Sequence, residues 1–315
     1  MSEIIDIAII GGGPAGLTAA LYGARARART VVFEATLPGG QIITTDWIEN
    51  YPGMPEGLNG ARVGELMHAH AEKFGAQFRT FSRVDALRAG EGGAWVLESS
   101  EEEDALARTV VLATGAMPRR LGIPGEEEYT GHGVSWCATC DGAFFKGKTV
   151  AVIGGGDAAM EEASFLTKFA DLVHLIHRRS EFRATRCIQE RCFANERIQV
   201  HGDRVPVEIV GRDGRVTGLL LQTAAGEPAE TLELDGVFEF IGVHPQSELV
   251  ADLVELAEGG WVKVDGSMAT SAPGIFAAGD VTDTPLKQVV TAAGQGATAA
   301  FEALRYLESG ACPIS

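Results

Sequence analysis

Two cysteines separated by two residues, Cys137 and Cys140, are the residues of this sequence best suited to chemistry, and Asp141 follows them directly. A disulfide across so short a loop would stabilise a fold by only about 2 kcal/mol, against about 4–5 kcal/mol for a long loop, so the pair is a weak structural link. A Cys-x-x-Cys arrangement lowers the pKa of one thiol, however, and the thiolate is the nucleophile of disulfide exchange. The spacing therefore predicts a redox-active dithiol with a carboxylate beside it.

A glycine-rich turn near the start of the chain predicts a dinucleotide site. An apolar strand at Ile4–Ile10 leads into the sequence GGGPAG, and a helix follows at Leu17–Ala28. Gly11 permits the tight turn, Gly13 lets the backbone approach a pyrophosphate, and Gly16 lets the helix pack on the strand. The N–H groups at the start of the helix then face the phosphates.

The residue that ends the second strand supports this interpretation. The strand Thr30–Phe33 is followed by Glu34, roughly 20 residues after the turn, where an acid binds ribose hydroxyls. A glycine turn without a ligand is the alternative. The strand, the helix and the acid in their correct order favour the dinucleotide site.

The same pattern occurs a second time, after the two cysteines. A strand at Lys148–Ile153 leads into the sequence GGGDAA, which starts at Gly154, and a further strand at Leu172–Ile176 ends in His177. The repetition predicts an α/β protein with two Rossmann-like dinucleotide-binding domains.

The two repeats carry opposite charges at the equivalent position, and this separates their ligands. Glu34 accepts bonds from a ribose 2′-hydroxyl and repels a 2′-phosphate, whereas Arg178, Arg179 and Arg183 favour the phosphate through charge-assisted hydrogen bonds. The first repeat is therefore expected to bind FAD or NAD, and the second NADP(H). A solvated surface turn is the alternative for the arginines, but their register with the second glycine turn favours binding.

Composition limits the remaining possibilities. A chain of 315 residues suggests two domains. A net charge of −17 argues against nucleic acid and anionic membranes as partners. The N-terminus lacks the features of a signal peptide and no stretch is long and apolar enough to span a membrane, so we expect a cytoplasmic protein whose five cysteines are thiols or a catalytic disulfide.

Glycine and proline mark two connections between the expected domains. Gly115–Pro118 and Gly242–Pro245 both interrupt regular structure. Beyond the second, the apolar run Gly274–Asp280 ends in a carboxylate that can reach a ribityl or phosphate-bearing chain, and a helix is predicted at about Gln288–Tyr306.

These motifs together resemble the low-molecular-weight, NADPH-dependent thioredoxin reductases, over essentially the whole chain. The most specific matches are the segment CATCDG at residues 137–142 placed just before GGGDAA, and the segment HRRSEFRA at residues 177–184. The run GIFAAGDV at residues 274–281 is shared with many pyridine-nucleotide flavoprotein reductases.

The resemblance implies a discontinuous FAD domain, residues 1–117 and 245–315, with an NADPH domain inserted at 118–244 that carries the dithiol. It also implies a homodimer that reduces thioredoxin by passing electrons from NADPH to FAD, then to the Cys137–Cys140 disulfide and on to thioredoxin, with rotation between the domains. Cys140 is then the sulfur nearest the flavin, Cys137 attacks thioredoxin, and Asp141 is the acid/base.

The predicted cofactor contacts follow from the motifs and the resemblance together. For FAD they are Gly11, Gly13, Pro14, Ala15, Gly16, Glu34, Gly40, Gln41, Asn50, Thr114, Gly115, Gly279, Asp280, Lys287, Gln288 and Val289. For NADPH they are Gly154, Gly156, Asp157, Ala159, His177, Arg178, Arg179, Arg183 and Gly242. No metal is expected.

The sequence departs from the family pattern at three places. His244 is shifted by one residue from the usual Gly-His-x-Pro-Asn, Lys287 stands where an arginine is common, and His132 replaces an arginine thought to touch thioredoxin.

Three other interpretations compete. A zinc site would need a second Cys-x-x-Cys, which the remaining cysteines do not supply. A related flavoprotein reductase of another protein disulfide, of peroxiredoxin type or with a thioredoxin-like partner, is the second. Peroxiredoxin-reducing flavoproteins usually carry an extra N-terminal disulfide domain, whereas this sequence starts directly at the predicted FAD strand. A sensing module that never turns over would not need an intact dithiol between two cofactor sites.

Overall fold

The computed structural model describes residues 4–45, 48, 50–54, 56–100 and 103–310, without the side chains of Thr44, Thr139, Cys140, Pro228 and Ala229. The chain divides into two compact units. The first unit combines Met1–Met117 with His244–Ser315, and the second is Pro118–Val243.

In chain order the strands and helices are β1 (Ile5–Ile10), α1 (Pro14–Arg25), β2 (Thr30–Glu34), α2 (Gly60–Lys73), β3 (Gln77–Thr80), β4 (Ala86–Ala89), β5 (Trp95–Glu98), β6 (Ala105–Leu112), β7 (Ala116–Pro118), β8 (Val134–Ser135), α3 (Ala138–Asp141), β9 (Thr149–Ile153), α4 (Asp157–Leu166), β10 (Leu172–Ile176), α5 (Arg186–Phe193), β11 (Ile198–His201), β12 (Arg204–Arg212), β13 (Arg215–Thr223), β14 (Pro228–Glu233), β15 (Gly236–Glu239), β16 (Val243–Pro245), β17 (Ile275–Ala277) and α6 (Val289–Glu308). Short 3-10 turns lie at Gly40–Thr44, Glu91–Gly93, Gly142–Phe145 and Glu248–Val250.

The first unit is organised on a sheet of order β3-β2-β1-β6-β5-β4. Strands β3, β2, β1 and β6 are parallel. Strand β6 also pairs with β17 in parallel and with β5 in antiparallel orientation. Ile7 and Ile9 of β1 pack into a cluster with the alanines of α1 and α6, while Ile10 belongs to a second cluster with Val250 and Val262. Burial on both faces explains why this strand is almost wholly apolar.

Two helices of the first unit approach each other closely because their contact residues are small. A Cβ added at Gly296 of α6 would lie 2.1 Å from the carbonyl oxygen of Ala15 on α1. The start of α1, which holds the predicted phosphate-facing N–H groups, is thereby fixed against α6.

The second unit has a parallel sheet of order β11-β10-β9-β15-β8. Alternate residues of the sheet enter different clusters. Val150 and Val152 pack with residues of α4 and α5, and Ala151 and Ile153 pack with the antiparallel layer β12-β13-β14. Helices therefore cover one face of the sheet, and the three-stranded layer covers the other.

The two chain connections pair with each other, as β7 with β16. The predicted α/β class with two Rossmann-like folds is confirmed. Helix α1 begins at Pro14 rather than at the predicted Leu17, because Gly13 is its N-cap and proline is favoured in the first helical turn. Among the described residues, no helix has the length and apolar character required to cross a membrane.

Candidate functional sites

The predicted dithiol lies at the start of the short helix α3 in the second unit. Cys137 is held in a disulfide. Its backbone is fixed by Ser135, whose Oγ accepts a hydrogen bond from the Cys137 N–H at 3.0 Å, and by Asp141, whose N–H donates to the Cys137 carbonyl at 3.2 Å. The side chain of Cys140 lies outside the described part of the structure, so its pairing with Cys137 stays a prediction.

The residues after the dithiol pack directly on α4 and its C-terminal end. A Cβ added at the buried Gly142 would lie 3.2 Å from Leu166 Cδ2 and 3.3 Å from the ring of Phe169. The other described cysteines, Cys187 and Cys192, are free thiols. Burial raises the pKa of the Cys192 thiol, which makes it a poor nucleophile at neutral pH.

The first glycine turn has the close approaches that its sequence predicts. Gly11 has φ +105°, and a Cβ at Gly16 would lie 1.9 Å from the Gly11 carbonyl oxygen. Gly13 is open by comparison, since an added Cβ would meet only Gly40 Cα within 4 Å, at 3.8 Å. The loop Pro38–Gln41 is joined to this turn by a bond from the Gly39 N–H to the Gly12 carbonyl at 2.7 Å.

Glu34 lies at the end of β2, beside the first turn. Its Oε2 accepts a hydrogen bond from the Gly12 N–H at 2.7 Å. Its Oε1 accepts two bonds from Thr36, from the N–H at 2.8 Å and from Oγ1 at 2.9 Å. The carboxylate is thus held next to the N-terminus of α1, where the hydroxyls of an adenosine ribose could donate to it.

The remaining predicted FAD residues of the first unit form hydrogen bonds with one another and with neighbours. Gln41 donates to the Ala116 carbonyl, and Asn50 donates to Gln288 Oε1 at 2.9 Å, directly before α6 begins at Val289. The Gly115 carbonyl accepts from the Gln246 N–H at 2.9 Å.

Thr114 and Gly279 are each held by a glutamine that is not among the predicted cofactor contacts. Gln246 Nε2 donates to the Thr114 carbonyl at 3.1 Å, and Gln295 Oε1 accepts from the Gly279 N–H at 2.8 Å. Gln295 could have been suspected from α6, since it lies on the helix that the tail motif precedes.

Asp280 and Lys287 are coupled in a partly buried site. Burial raises the pKa of Asp280, and the nearby Lys287 opposes this shift. Lys287 Nζ donates to the carbonyls of Asp280 at 3.1 Å and Thr282 at 3.2 Å. It also lies 3.6 Å from the ring centroid of Trp261, a cation–π contact that sequence reasoning missed.

The second glycine turn repeats the geometry of the first. Gly154 has φ +152°, and an added Cβ would lie 2.3 Å from the Phe240 carbonyl oxygen. An added Cβ at Gly156 would meet nothing within 4 Å, so the N-terminus of α4 is open at this point. Asp157 accepts a bond from the Thr185 N–H at 2.6 Å, and Ala159 is fully buried.

His177 packs on this turn instead of projecting away from it. Only 7% of the residue is exposed, and its ring is tilted against Phe182 with centroids 4.9 Å apart. Burial lowers the pKa of His177, which favours the neutral imidazole. Its Nε2 is buried and has no hydrogen-bond partner within the described residues.

Three guanidinium groups surround the same position. Arg178, Arg179 and Arg183 are exposed, and all three act electrostatically on His177. The Arg183 N–H donates to the Gly155 carbonyl at 2.8 Å, which ties this segment to the glycine turn. Within the described residues none of the three forms an ion pair, so they are available to an anion.

Gly242 lies at the second connection, with φ +109° and open space where a Cβ would be. Its carbonyl accepts a bond from the Arg119 N–H at 2.9 Å. No three His, Cys, Asp or Glu side chains gather to hold a metal ion in the part of the chain that the structure describes.

The chain matches the family model described as pyridine nucleotide-disulphide oxidoreductase over residues 5–296. A thioredoxin reductase from Mycolicibacterium smegmatis is 49% identical over 304 residues, which cover 96% of both chains. One from Bacillus subtilis is 42% identical over 311 residues, 98% of this chain and 97% of the relative. The crystal structure of Lactococcus lactis thioredoxin reductase matches with a TM-score of 0.93 at 40% identity, covering 97% of this chain and 99% of that one. The expected family is confirmed: the chain belongs to the pyridine nucleotide-disulphide oxidoreductases and, within them, to the low-molecular-weight thioredoxin reductases.

Proposed function

We propose that the protein reduces the disulfide of thioredoxin with electrons from NADPH, and that it uses FAD and the Cys137–Cys140 pair to do so. The observation that carries the proposal is a disulfide-bonded Cys137 on the same compact unit as the second glycine turn, while another such turn lies on the other unit. FAD, when bound, supplies the chemistry that carries electrons from a hydride donor to a disulfide. The residues of the chain bind and orient the cofactors and exchange protons with the thiols.

The first unit has the features needed to hold FAD. The open face of Gly13 at the start of α1 suits a pyrophosphate, and Glu34 suits the adenosine ribose. Asp280, Lys287 and Gln288 would orient the remainder of the cofactor. Asp280 is partly buried and burial raises its pKa, so a ribityl hydroxyl that donates a hydrogen bond to its carboxylate would stabilise the charged form.

The second unit has the features needed to hold NADPH. Open space at Gly156 suits the pyrophosphate, and the three guanidinium groups, which form no ion pair with the described residues, suit a 2′-phosphate. The buried His177 Nε2, which lacks a partner in the described part of the chain, fits a site completed by a ligand. This combination favours NADPH over NADH.

The thiol chemistry needs three side chains. Once two electrons from NADPH have reduced the Cys137–Cys140 disulfide to a dithiol, the Cys137 thiolate attacks a sulfur of the thioredoxin disulfide, so that a mixed disulfide forms and one thioredoxin thiolate leaves. Cys140 then attacks the Cys137 sulfur, which restores the Cys137–Cys140 disulfide and releases reduced thioredoxin. Asp141 donates the protons that the departing thiolates need, since it follows Cys140 directly.

Rotation of the two units about their connections would let both the dithiol and NADPH reach one flavin. Gly115 and Gly242 have φ of +72° and +109°, conformations that favour glycine at a hinge. A cross-link that fixes the orientation with Cys140 on the flavin should block flavin reduction by NADPH and leave FAD bound. Unchanged turnover of the cross-linked protein would contradict the rotation.

We also place the protein in the cytoplasm as a homodimer. The free thiols Cys187 and Cys192 suit a reducing compartment, and the dimer follows from the family resemblance. Light scattering of the purified protein should give twice the mass of the chain.

The decisive experiment follows NADPH oxidation with thioredoxin, without it, and with a peroxiredoxin-type disulfide protein in its place. Turnover that requires thioredoxin supports the proposal. Turnover with the other disulfide protein alone would identify a reductase of a different partner, and absence of turnover with bound FAD would favour a sensing module.

A further inference from the structure

Two carboxyl groups are buried together in the second unit. Glu126 and Glu239 are 3% and 1% exposed. Within the described part of the chain, no lysine, arginine or histidine pairs with either of them. Burial of a charge without a partner is strongly unfavourable, so such groups are held neutral or share a proton.

Each carboxyl group has hydrogen-bond donors at only one of its two oxygens. Glu239 Oε2 accepts bonds from the indole N–H of Trp136 at 3.1 Å and from the Leu121 N–H at 3.3 Å. Glu126 Oε2 accepts from the N–H groups of Gly122 and Ile123. The other oxygen of each, Oε1, is buried and has no donor among the described residues.

The two carboxyl groups meet at one turn of the backbone, because consecutive N–H groups donate to them, that of Leu121 to Glu239 Oε2 and that of Gly122 to Glu126 Oε2. One proton between them would satisfy both groups. Burial, and then the negative charge of Glu126, raise the pKa of Glu239 to about 8. The residue paired with Glu239 on the adjacent strand β9 is the apolar Ile153. A positive charge lies over the ring of Trp136, since the guanidinium of Arg120 is 4.8 Å from the ring centroid of that residue.

Trp136 links this pair to the redox-active segment. It directly precedes Cys137 and packs in the cluster formed by the sheet and the three-stranded layer. Its indole is held between Glu239 on one side and Arg120 over its ring. The residue directly before Cys137 is therefore held by a bond whose acceptor belongs to a carboxyl pair.

We propose that Glu126 and Glu239 share one proton and act as positioning residues for the dithiol, through Trp136. When the proton leaves to solvent at alkaline pH, two buried carboxylates face each other, repel, and separate. The acceptor of the Trp136 N–H moves with Glu239, and the segment before Cys137 loosens. The effect on catalysis rests on the proposed function. The existence of the shared proton is independent of that function.

The shared proton is tested by infrared spectroscopy, as the difference between wild type and Glu239→Gln. Wild type at about pH 6.5 should show an additional protonated carboxylic acid band that disappears as the pH rises through about 8. Glu127→Gln removes the same charge from an exposed neighbour and should give no such band in its difference spectrum. Absence of the band from the Glu239 difference spectrum would overturn the proposal.

The positioning role is tested by the alkylation rate of Cys137 in the dithiothreitol-reduced protein, resolved by peptide mass spectrometry. Glutamine keeps an acceptor for Trp136 and offers Glu126 a donor, so Glu239→Gln mimics the protonated pair at every pH. We expect its rate to equal that of wild type at about pH 6.5 and to be about 3- to 10-fold lower at about pH 9.5, where only the wild-type segment is loosened; a tenfold change corresponds to about 1.4 kcal/mol.

A rate ratio that does not change with pH would overturn the positioning role, since a merely structural defect would act at every pH. Neither measurement requires NADPH or thioredoxin. If both succeed and thioredoxin is not reduced, the proposed function fails while the inference stands. If thioredoxin is reduced and both measurements fail, the inference alone is wrong.

Discussion

Gly155 lies directly beneath the imidazole of His177, since a Cβ added at Gly155 would be 2.4 Å from His177 Nδ1. The first unit has the equivalent relation in a different form, because the Gly12 N–H donates to Glu34 Oε2 at 2.7 Å. In both repeats the residue that ends the second strand contacts the middle glycine of the turn. An acid does so by a hydrogen bond, and a histidine by packing. The residue at the end of the second strand therefore holds the turn in shape in both repeats.

Gly155→Ala should damage the second unit where Gly156→Ala does not. The methyl group at Gly155 would displace the buried ring of His177, and overpacking of this kind costs about 1–3 kcal/mol of unfolding free energy. A Cβ at Gly156 meets nothing within 4 Å, so that variant should unfold like wild type and lose NADPH affinity instead. Denaturant unfolding and NADPH titration of both variants check this. Equal stability of the two would contradict the packing described for His177.

Replacement of Arg178 and Arg179 by alanine should weaken NADPH and leave NADH nearly unchanged. Each lost charge-assisted hydrogen bond is worth about 1.5–3 kcal/mol, so KM for NADPH should rise at least about tenfold. Arg212→Ala, which removes an exposed arginine of β12, is the control. Equal losses for both nucleotides would mean that the arginines do not bind the 2′-phosphate.

Glu34→Gln should lower FAD occupancy. The carboxylate accepts three hydrogen bonds from Gly12 and Thr36. An amide would place an NH₂ group against one of these donors, so that a hydrogen bond worth about 0.5–1.5 kcal/mol is lost. FAD absorbance per chain measures the effect, with Glu91→Gln at an exposed turn as control. Full occupancy of Glu34→Gln would remove this residue from the FAD site.

The glycine turns and their charged partners could be predicted because each lies within one continuous strand–turn–helix–strand segment. Apolar runs that stop at Gly11 and Gly154 locate β1 and β9 without reference to the rest of the chain. The spacing from Gly156 to His177 indicates that this histidine lies beside the glycine turn. It could not show that the imidazole is buried against Gly155, since that depends on the packing of Phe182.

Contacts between distant segments could not be predicted from one sequence. Trp136 and Glu239 are 103 residues apart and meet only because β15 pairs with β8. The sequence predicts that Lys287 contacts FAD, and no local pattern indicates its contact with the ring of Trp261. Such pairs depend on strand order, which spacing alone does not encode.

Cys140→Ser should still permit flavin reduction by NADPH and abolish thioredoxin turnover. The variant keeps Cys137, which can attack thioredoxin, but it has no second thiol to resolve the mixed disulfide. Stopped-flow reduction of the flavin and steady-state thioredoxin assays measure the two half-reactions separately. Cys187→Ser, at an exposed free thiol, should behave as wild type. Normal thioredoxin turnover of Cys140→Ser would refute the role given to this residue.

Glu239→Gln should make the protein less sensitive to alkaline pH. The pKa of Glu239 rises from 4.5 to about 8 on folding, so the folded state holds more protons than the unfolded state between these values. The contribution of this group to stability is therefore complete below about pH 4.5 and is lost as the pH rises to about 8. Glutamine does not titrate, so the unfolding free energy of the variant should rise relative to that of wild type across this window. The difference should reach about 1–3 kcal/mol at about pH 8.5, the range for an unfavourable buried polar group. Urea unfolding at a series of pH values measures this gain, and the Glu127→Gln curve should run parallel to wild type. A Glu239→Gln curve that is also parallel would mean that Glu239 titrates as an ordinary carboxyl.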